Sequence, residues 1–515
     1  MSLQARITSV IEHISIGMHE REDIIALTLL GALSSQNTFL YGPPGTAKSL
    51  ISRRIACAFE TPNYFEHLMN RFSTPEELFG PVSIKALKED RYTRKTNKYL
   101  PTADFAFLDE IWKSSPAILN TLLTMINEKT FKNGDVVEQT PLKALVAASN
   151  ETPVENQGLE ALYDRFIIRL IVGPITQKSN FEALINTKPT QAKIELSKKL
   201  LVTNSEWQSW LDKINKVTLS PETLLMIHAI RHELLSKNEE LGVYVSDRRW
   251  QKIAQLLKAS AFFNDRKETN HSDALLISHC IWTKEENRQS VTGIVHQAIK
   301  DVGFTSDISL DELDKEKESL DKEINKELFY KSDVYKTEKI GNKKYFVAVL
   351  KFTYGDHWNK ESAERTLYIP YSKLKTKETF HPVDKNGNER EKFECTFDGH
   401  GTCKVIGREF GSRYDEYDSE VTYTPRVLFH KGDKKDDVNQ RLISSLEESV
   451  ADIRKSLINV LSICEQKTES YKKKLASPFV SKELLDIPLA AIQDQQSSLQ
   501  LRIKDCERLE ALCHD

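Results

Sequence analysis

The stretch Tyr41-Gly-Pro-Pro-Gly-Thr-Ala-Lys-Ser49 sets two glycines, a lysine and a hydroxyl at the spacing of a phosphate-binding loop, with Ala47 standing where that pattern wants glycine. In such a loop, backbone N–H groups wrap a phosphate and the positive end of the following helix dipole adds to them. Lys48 would reach the β- and γ-phosphates and Ser49 would bind Mg2+. Gly42, Pro43, Pro44, Gly45, Thr46 and Leu50 complete the segment expected to touch a nucleotide. The residue before the lysine opens the helix, so an ordinary φ is expected at Ala47, and the strict need for glycine falls on Gly42 and Gly45.

Some sixty residues downstream, Phe-Ala-Phe-Leu-Asp-Glu (105–110) is an apolar strand that delivers Asp109 and Glu110 to its C-terminal end. Two carboxylates at the end of a buried strand are costly unless a cation or a reaction needs them. Asp109 is expected to order the Mg2+ and Glu110 to polarise an attacking water. The rival reading is a helix N-terminus carrying acids, since Asp-Glu-Ile-Trp-Lys-Ser-Ser-Pro follows. A third apolar strand, Ala-Leu-Val-Ala-Ala-Ser, ends at Asn150, whose amide could hold the water and the γ-phosphate. Arg165 follows Asp164 near a helix end, and Arg248 and Arg249 stand at the start of another helix.

These residues need elements to hold them. Short apolar runs at 37–41, 103–108, 144–149 and 166–172 alternate with helical patterns such as Ala-Ile-Leu-Asn-Thr-Leu-Leu-Thr-Met-Ile-Asn-Glu (117–128). That alternation predicts an α/β core over 1–173, a parallel sheet with helices on both faces and ligands at the carboxyl ends of the strands. Residues 174–300 show only helical periodicity, a candidate all-α domain. Residues 308–328 form one charged amphipathic helix, and 331–435 are rich in Tyr, Phe, Val and Thr in strand-like runs broken by turns. Leu442, Leu446, Val450, Ile453, Leu457, Val460 and Cys464 then step by three and four, as do residues of a last helix through Leu509. A three-helix stalk built from 301–330 and 436–515, interrupted by the inserted β module, is the expected layout.

The 515-residue chain is 39% hydrophobic and 29% charged, a composition that suits about three globular domains. No apolar run approaches the length of a bilayer span, and the first twenty residues do not read as a signal peptide, so a cytoplasmic protein is expected. Seven scattered cysteines without a CxxC argue for reduced thiols. A net charge of −3 argues against a nucleic-acid coat.

Taken together and in order, Gly-Pro-Pro-Gly-Thr-Ala-Lys-Ser, Phe-Leu-Asp-Glu, Ala-Ala-Ser-Asn, Ala-Leu-Tyr-Asp-Arg-Phe and Ser-Asp-Arg-Arg-Trp resemble the MoxR branch of the AAA+ ATPases, as do residues 71–84 and 110–131. Within that branch the layout is most similar to the RavA-type regulatory ATPases. The resemblance is specific over roughly residues 1–300 and rests on layout beyond. It implies an ATP- and Mg2+-dependent ATPase with an AAA+ core, a helical lid and a hexameric ring. It makes Asn150 the sensor of the γ-phosphate, and Arg165 the finger given to a neighbour's ATP, with Arg169 as rival. Arg248 becomes the second sensor, with Arg249 as rival. It also implies a von Willebrand factor A-domain partner and, through 331–435, a metabolic-enzyme client.

Two features and two rival readings remain. Residues 87–101 hold Lys88, Arg91, Arg94, Lys95 and Lys98, which in this family often lie on a pore-facing hairpin; a solvated basic loop is the plain alternative. Cys395, His400 and Cys403, with His381 upstream, match no standard zinc spacing. A nucleic-acid motor shares the same loop and carboxylates, but no recognised DNA-binding module is present. A nucleotide-gated scaffold with little turnover is the non-enzymatic rival, and the presence of Glu110 argues against it.

Overall fold

The computed structural model describes residues 2–153, 159–302, 310–355, 360–412 and 415–514. They fall into two compact units, one of residues 1–307 with 459–500 and one of residues 308–458 with 501–515.

The first unit opens with helices α1 (Leu3–Ile14) and α2 (Glu22–Leu33), followed by strand β1 (Asn37–Tyr41) and helix α3 (Lys48–Ala56). Strands β2 (Tyr64–Leu68) and β3 (Phe105–Asp109) flank the short helices α4 (Pro75–Phe79) and α5 (Ile84–Leu87). Helix α6 (Pro116–Glu128), a hairpin of β4 (Thr130–Asn133) and β5 (Val136–Gln139), β6 (Ala144–Ser149), α7 (Glu160–Tyr163) and β7 (Phe166–Ile171) complete the core. The main sheet has the order β2-β3-β6-β1-β7, and all its pairs are parallel.

Every residue of β3 and β6 except Asp109 is buried, as strands covered on both faces require. Alternate residues serve opposite faces: Leu40, Phe107 and Val146 join the cluster built with α1, α2 and α3, while Phe39, Leu108 and Ala147 join the cluster built with Leu119, Leu122 and Ile126 of α6. The expected strands are present nearly residue for residue. The edge strand β2 and the β4–β5 hairpin are additions to the expected set. In β2 no residue is fully buried and Glu66 and His67 interrupt the apolar run, so it carries little strand signal.

Helices α8 (Lys178–Asn186), α9 (Asn204–Asn215), α10 (Pro221–Ser236), α11 (Asn238–Leu241), α12 (Asp247–Phe263), α13 (His271–Ala274), α14 (Ser278–Ile281) and α15 (Glu285–Asp301) make the all-helical lid. Ser246 starts α12 by accepting the Arg249 N–H at 3.1 Å on its Oγ.

In the second unit, α16 (Leu310–Leu328) leads into strands β8 (Val334–Tyr335), β9 (Glu338–Ile340), β10 (Lys343–Gly355), β11 (Lys360–Pro370), β12 (Phe393–Phe397), β13 (Cys403–Ser412), β14 (Asp415–Tyr423) and β15 (Val427–Phe429). They form two three-stranded sheets, β11-β10-β9 and β12-β13-β14, and the pair β15-β8. Phe346, Phe352, Ile369, Phe393, Phe397 and Val405 fill the module's core. Helices α17 (Gln440–Leu475) and α18 (Asp486–His514) follow. Arg502 pairs with Asp314 at 2.9 Å and Arg454 with Glu510 at 2.9 Å, so three helical segments pack within this unit.

Residues 459–500, from the last two helices, group with the first unit. Tyr471 meets His271 Nδ1 at 2.5 Å, and Phe479 and Val480 are buried in the apolar cluster of the core and lid. No helix among the described residues is long and apolar enough to cross a membrane.

Candidate nucleotide site

The loop between β1 and α3 is held from behind. Gly42 N–H donates to Ser149 O at 3.1 Å, and Val172 N–H donates to Tyr41 O at 2.7 Å, so the adjacent strands β6 and β7 fix its first residue. Thr46 Oγ1 donates to Pro43 O at 2.9 Å and closes the turn. Gly45 has φ +81° with open space where a β-carbon would stand, a cradle that exposes backbone rather than side chain.

Ala47 departs from expectation. Its φ is +68°, in the left-handed region, rather than the ordinary value. The loop closes one residue later than the sequence pattern suggests, and Ala47 still belongs to the turn, with Lys48 as the first helical residue. The conformation costs about 1–2 kcal/mol for a residue with a β-carbon.

Lys48 is buried, and its Nζ donates to Gly42 O at 2.6 Å and Pro43 O at 2.9 Å. Burial pulls its pKa below the usual lysine value, and the facing carboxylates of Asp109 and Glu110 oppose that shift. Burial raises the Asp109 carboxyl, against the Glu110 N–H that donates to its Oδ1 at 3.1 Å and against the Lys48 charge. Glu110 itself has φ +51°, a strained backbone that turns its carboxylate out of the strand direction. Its Oε2 lies 3.5 Å from Ser149 Oγ, on the neighbouring strand, and 3.2 Å from Lys113 Nζ. The parallel sheet thus brings Lys48, Asp109, Glu110 and Ser149 to one edge, the carboxyl ends of β1, β3 and β6. Asn150 follows at the same edge and is exposed.

Beside the loop is a cavity of about 580 Å³, lined by Gly17, Met18, Pro44, Thr46, Leu50 and Phe181 among others. Its walls come from the α1–α2 connection, the loop and the first lid helix. Two residues that sequence reasoning missed brace it. Arg21 is buried and spans from Thr46 O to Gly173 O. Glu20 accepts the N–H groups of Thr176 and Gln177, each at 2.9 Å, which pins the start of the lid. An acidic residue followed by a basic one is too ordinary a signal to mark either.

The donor set fits a magnesium nucleotide: a hydroxyl at Ser49, a half-buried carboxylate at Asp109, a cradle at Gly45 and a buried ammonium at Lys48. Among the described residues no cluster of three or more histidines, cysteines and acids stands ready to hold a metal by itself. Cys395 and Cys403 are both buried in the β module, and His381 Nδ1 is engaged at 2.8 Å with Phe393 O.

The four candidate arginines separate cleanly. Arg169 is wholly buried, stacked 3.6 Å from the Tyr163 ring centre, and bonded to the carbonyls of Trp282, Tyr163 and Phe166. Burial lowers its pKa to about 9. Arg249 is also buried, donating to Cys280 O at 2.6 Å and Phe166 O at 3.0 Å, with Asp164 at 3.6 Å. Both fasten the lid to β7 inside one chain. Arg165 and Arg248 border, with Asn37, Asn127, Lys129, Lys252 and the buried Arg249, an open cleft of about 350 Å³. The Asp164 carboxylate accepts from Ser246 Oγ at 3.1 Å and stands 3.9 Å from Arg165, so the ion pair of Arg165 with its sequence neighbour is a long one. Asn37 begins β1 and Tyr41 ends it, so this cleft and the phosphate loop lie at opposite edges of the sheet, about 15 Å apart along the strand.

The basic stretch 87–101 is not a regular hairpin. A single bridge joins Val82 and Arg94, and Arg94 N–H donates to Asn133 Oδ1 of the β4–β5 hairpin at 2.7 Å. Lys88, Arg91, Lys95 and Lys98 are exposed.

Residues 5–208 match the model of the MoxR domain in the MoxR-vWA-beta-propeller ternary systems, and residues 222–295 match that of an AAA lid domain. Two uncharacterized proteins of Methanocaldococcus jannaschii are similar to this chain. One is 40% identical over 264 residues, covering 51% of this chain and 66% of the relative; the other is 38% identical over 274 residues, covering 53% and 70%. The chain therefore spans about two thirds of the length of these relatives. A crystal structure from Cytophaga hutchinsonii, of a protein provisionally named an ATPase, is 20% identical with a TM-score of 0.47, covering 59% of this chain and 96% of that one.

Proposed function

This chain belongs to the MoxR-type AAA+ ATPases, and from that premise we propose that it hydrolyses ATP in a ring of like subunits and uses the turnover to remodel or regulate a partner protein. The observation that carries this reading is the split of the charged groups between the two edges of one sheet. Lys48, Asp109 and Glu110 stand at one edge, Arg165 and Arg248 at the other. A nucleotide held by the loop of one copy then meets the arginines of the next.

In this scheme Lys48 and the N–H groups of Gly45–Ser49 bind the phosphates. Ser49 and Asp109 would hold Mg2+, which supplies charge neutralisation at the phosphates when bound. Glu110 orients and deprotonates the attacking water, and Asn150 holds that water in line. Arg165 stabilises charge developing on the γ-phosphate of the adjacent copy, a contribution worth ~10³–10⁵ in rate for such residues. Arg248 senses the same group from the lid. The MoxR–vWA system named by the matched family model supports a von Willebrand factor A-domain protein as partner. The strand-rich module of 331–435 supports a second recruitment surface, with a metabolic enzyme as its client, and a RavA-type regulatory role.

Steady-state ATP hydrolysis measured across protein concentration tests the reading. Specific activity is expected to rise with assembly and to vanish in Lys48→Ala. Turnover that is independent of concentration, or that survives Lys48→Ala, would overturn it.

A further inference from the structure

The open cleft at the amino edge of the sheet holds an excess of positive charge. Lys129, Arg165, Arg248, Arg249 and Lys252 line it with one carboxylate, Asp164, which is engaged with Arg249 and Ser246. The cations depress one another: burial first, and then the Arg248 charge, lowers the pKa of both Arg165 and Lys252. Two long cationic side chains would ordinarily part under that repulsion.

They do not part, because one atom holds both. Asn127 sits in the last turn of α6, and its Oδ1 accepts from Arg165 Nε at 3.2 Å and from Arg248 Nη2 at 2.7 Å. Guanidinium groups only donate, so the oxygen of the amide must be the end that faces them. A carbonyl oxygen has two lone pairs and no net charge. It can therefore bind both arginines while leaving their charge intact, which a carboxylate could not do. Arg165 comes from the core and Arg248 from the lid, so the same amide also couples the two domains. Arg165 Nη2 and Arg248 Nη1 have no protein hydrogen bond among the described residues and remain available to an anion.

We propose that Asn127 is a positioning residue that aligns Arg165 and Arg248 on a single phosphoryl group presented by a second copy of this chain. This rests on the proposed action of the two arginines across a subunit boundary. Pinning both side chains beforehand removes rotamer freedom that would otherwise be lost on binding.

The test uses the full chain with Asn127→Ala, Asn127→Asp and Asn127→Ser, followed by ATP turnover, fluorescent-nucleotide affinity, and assembly driven by a non-hydrolysable ATP analogue. Asn127→Ala is expected to lower kcat by about 10–100-fold, the cost of a misplaced catalytic group, with nucleotide affinity within about twofold and weaker analogue-driven assembly. Asn127→Asp is expected to lose a similar amount through neutralisation, and Asn127→Ser, which keeps an acceptor, to recover part of it. Mixing Asn127→Ala with Lys48→Ala chains is expected to restore activity, because the second chain offers intact arginines to the first chain's nucleotide. Wild-type turnover in Asn127→Ala would overturn the proposal, as would a loss that mixing does not relieve while the loss in Arg165→Ala is relieved. If mixing fails to rescue Arg165→Ala as well, the trans reading falls and the proposal with it.

Discussion

Gly42 lies so close to Val172 that a β-carbon on Gly42 would stand 2.2 Å from the Val172 carbonyl oxygen. The contact joins the first residue of the phosphate loop to the end of the edge strand β7, and its partners are backbone on both sides, so neither can yield by a rotamer change. Gly42→Ala is expected to cost more than about 3 kcal/mol, beyond the usual range for a point substitution, and to abolish nucleotide binding. A thermal melt with and without nucleotide checks this; an unchanged melting temperature would refute it.

Ala47 is strained at φ +68°, yet replacing it with the glycine of the general loop pattern should change little. Relief of about 1–2 kcal/mol in the folded loop is offset by about 0.4–1 kcal/mol from the freer unfolded chain. Ala47→Gly is therefore expected to gain between about 0 and 1.6 kcal/mol and to leave nucleotide affinity nearly unchanged. Ala47→Val, branched at the β-carbon in the same conformation, should lose about 1–3 kcal/mol. Chemical denaturation of the two variants beside wild type gives the comparison.

Glu110→Gln keeps the size and the strained turn but removes the carboxylate proposed as the base. Turnover is expected to fall by about 10²–10⁴-fold while ATP binds as tightly as before. Single-turnover hydrolysis together with equilibrium nucleotide binding separates the two effects, and a parallel fall in affinity would place Glu110 in binding instead.

Arg165 and Arg169 are neighbours in sequence and should fail in different ways. Arg165→Ala is expected to fold, bind ATP and turn over poorly. Arg169→Ala removes the donor to the buried carbonyls of Trp282 and Tyr163, each loss costing about 1–3 kcal/mol, so it should unfold early whatever its activity. Melting curves of the two variants, set against their activities, decide the assignment.

The N–H groups of Thr176 and then Gln177 hold the Glu20 carboxyl at a pKa of about 2, below its ordinary 4.5. A carboxyl whose folded pKa is depressed stabilises the fold above its unfolded pKa and loses that contribution as pH falls through the folded one. Wild type should therefore exceed Glu20→Gln in stability above about pH 4.5, and the gap should close between there and about pH 2. Melting temperatures of both proteins across that window test the sign.

How much of this could be read from the residues varies by site. The phosphate loop and the Asp109-Glu110 strand end were legible because glycine, lysine and paired carboxylates at strand termini are rare and local. The choice between Arg165 and Arg169, and between Arg248 and Arg249, was not legible. Neighbouring arginines differ there only in which side of a helix turn or strand they occupy, and which of them is buried depends on the packing of Trp282 and Cys280. Arg21 and Glu20 escaped notice because their partners are backbone groups more than 150 residues away, at Gly173, Thr176 and Gln177.

Strand β1 is five residues long, and each of its ends borders a different charged cluster. If neighbours share their nucleotide sites across those two ends, every copy owns half of two catalytic centres and the whole of none. A copy damaged at Lys48 would then silence the centre built on its own loop and still complete its neighbour's, while a copy damaged at Arg165 would do the reverse. A loss-of-function allele at Lys48 or Arg165 should consequently lower the turnover of a mixed pool in proportion to its share, and two such alleles should complement each other.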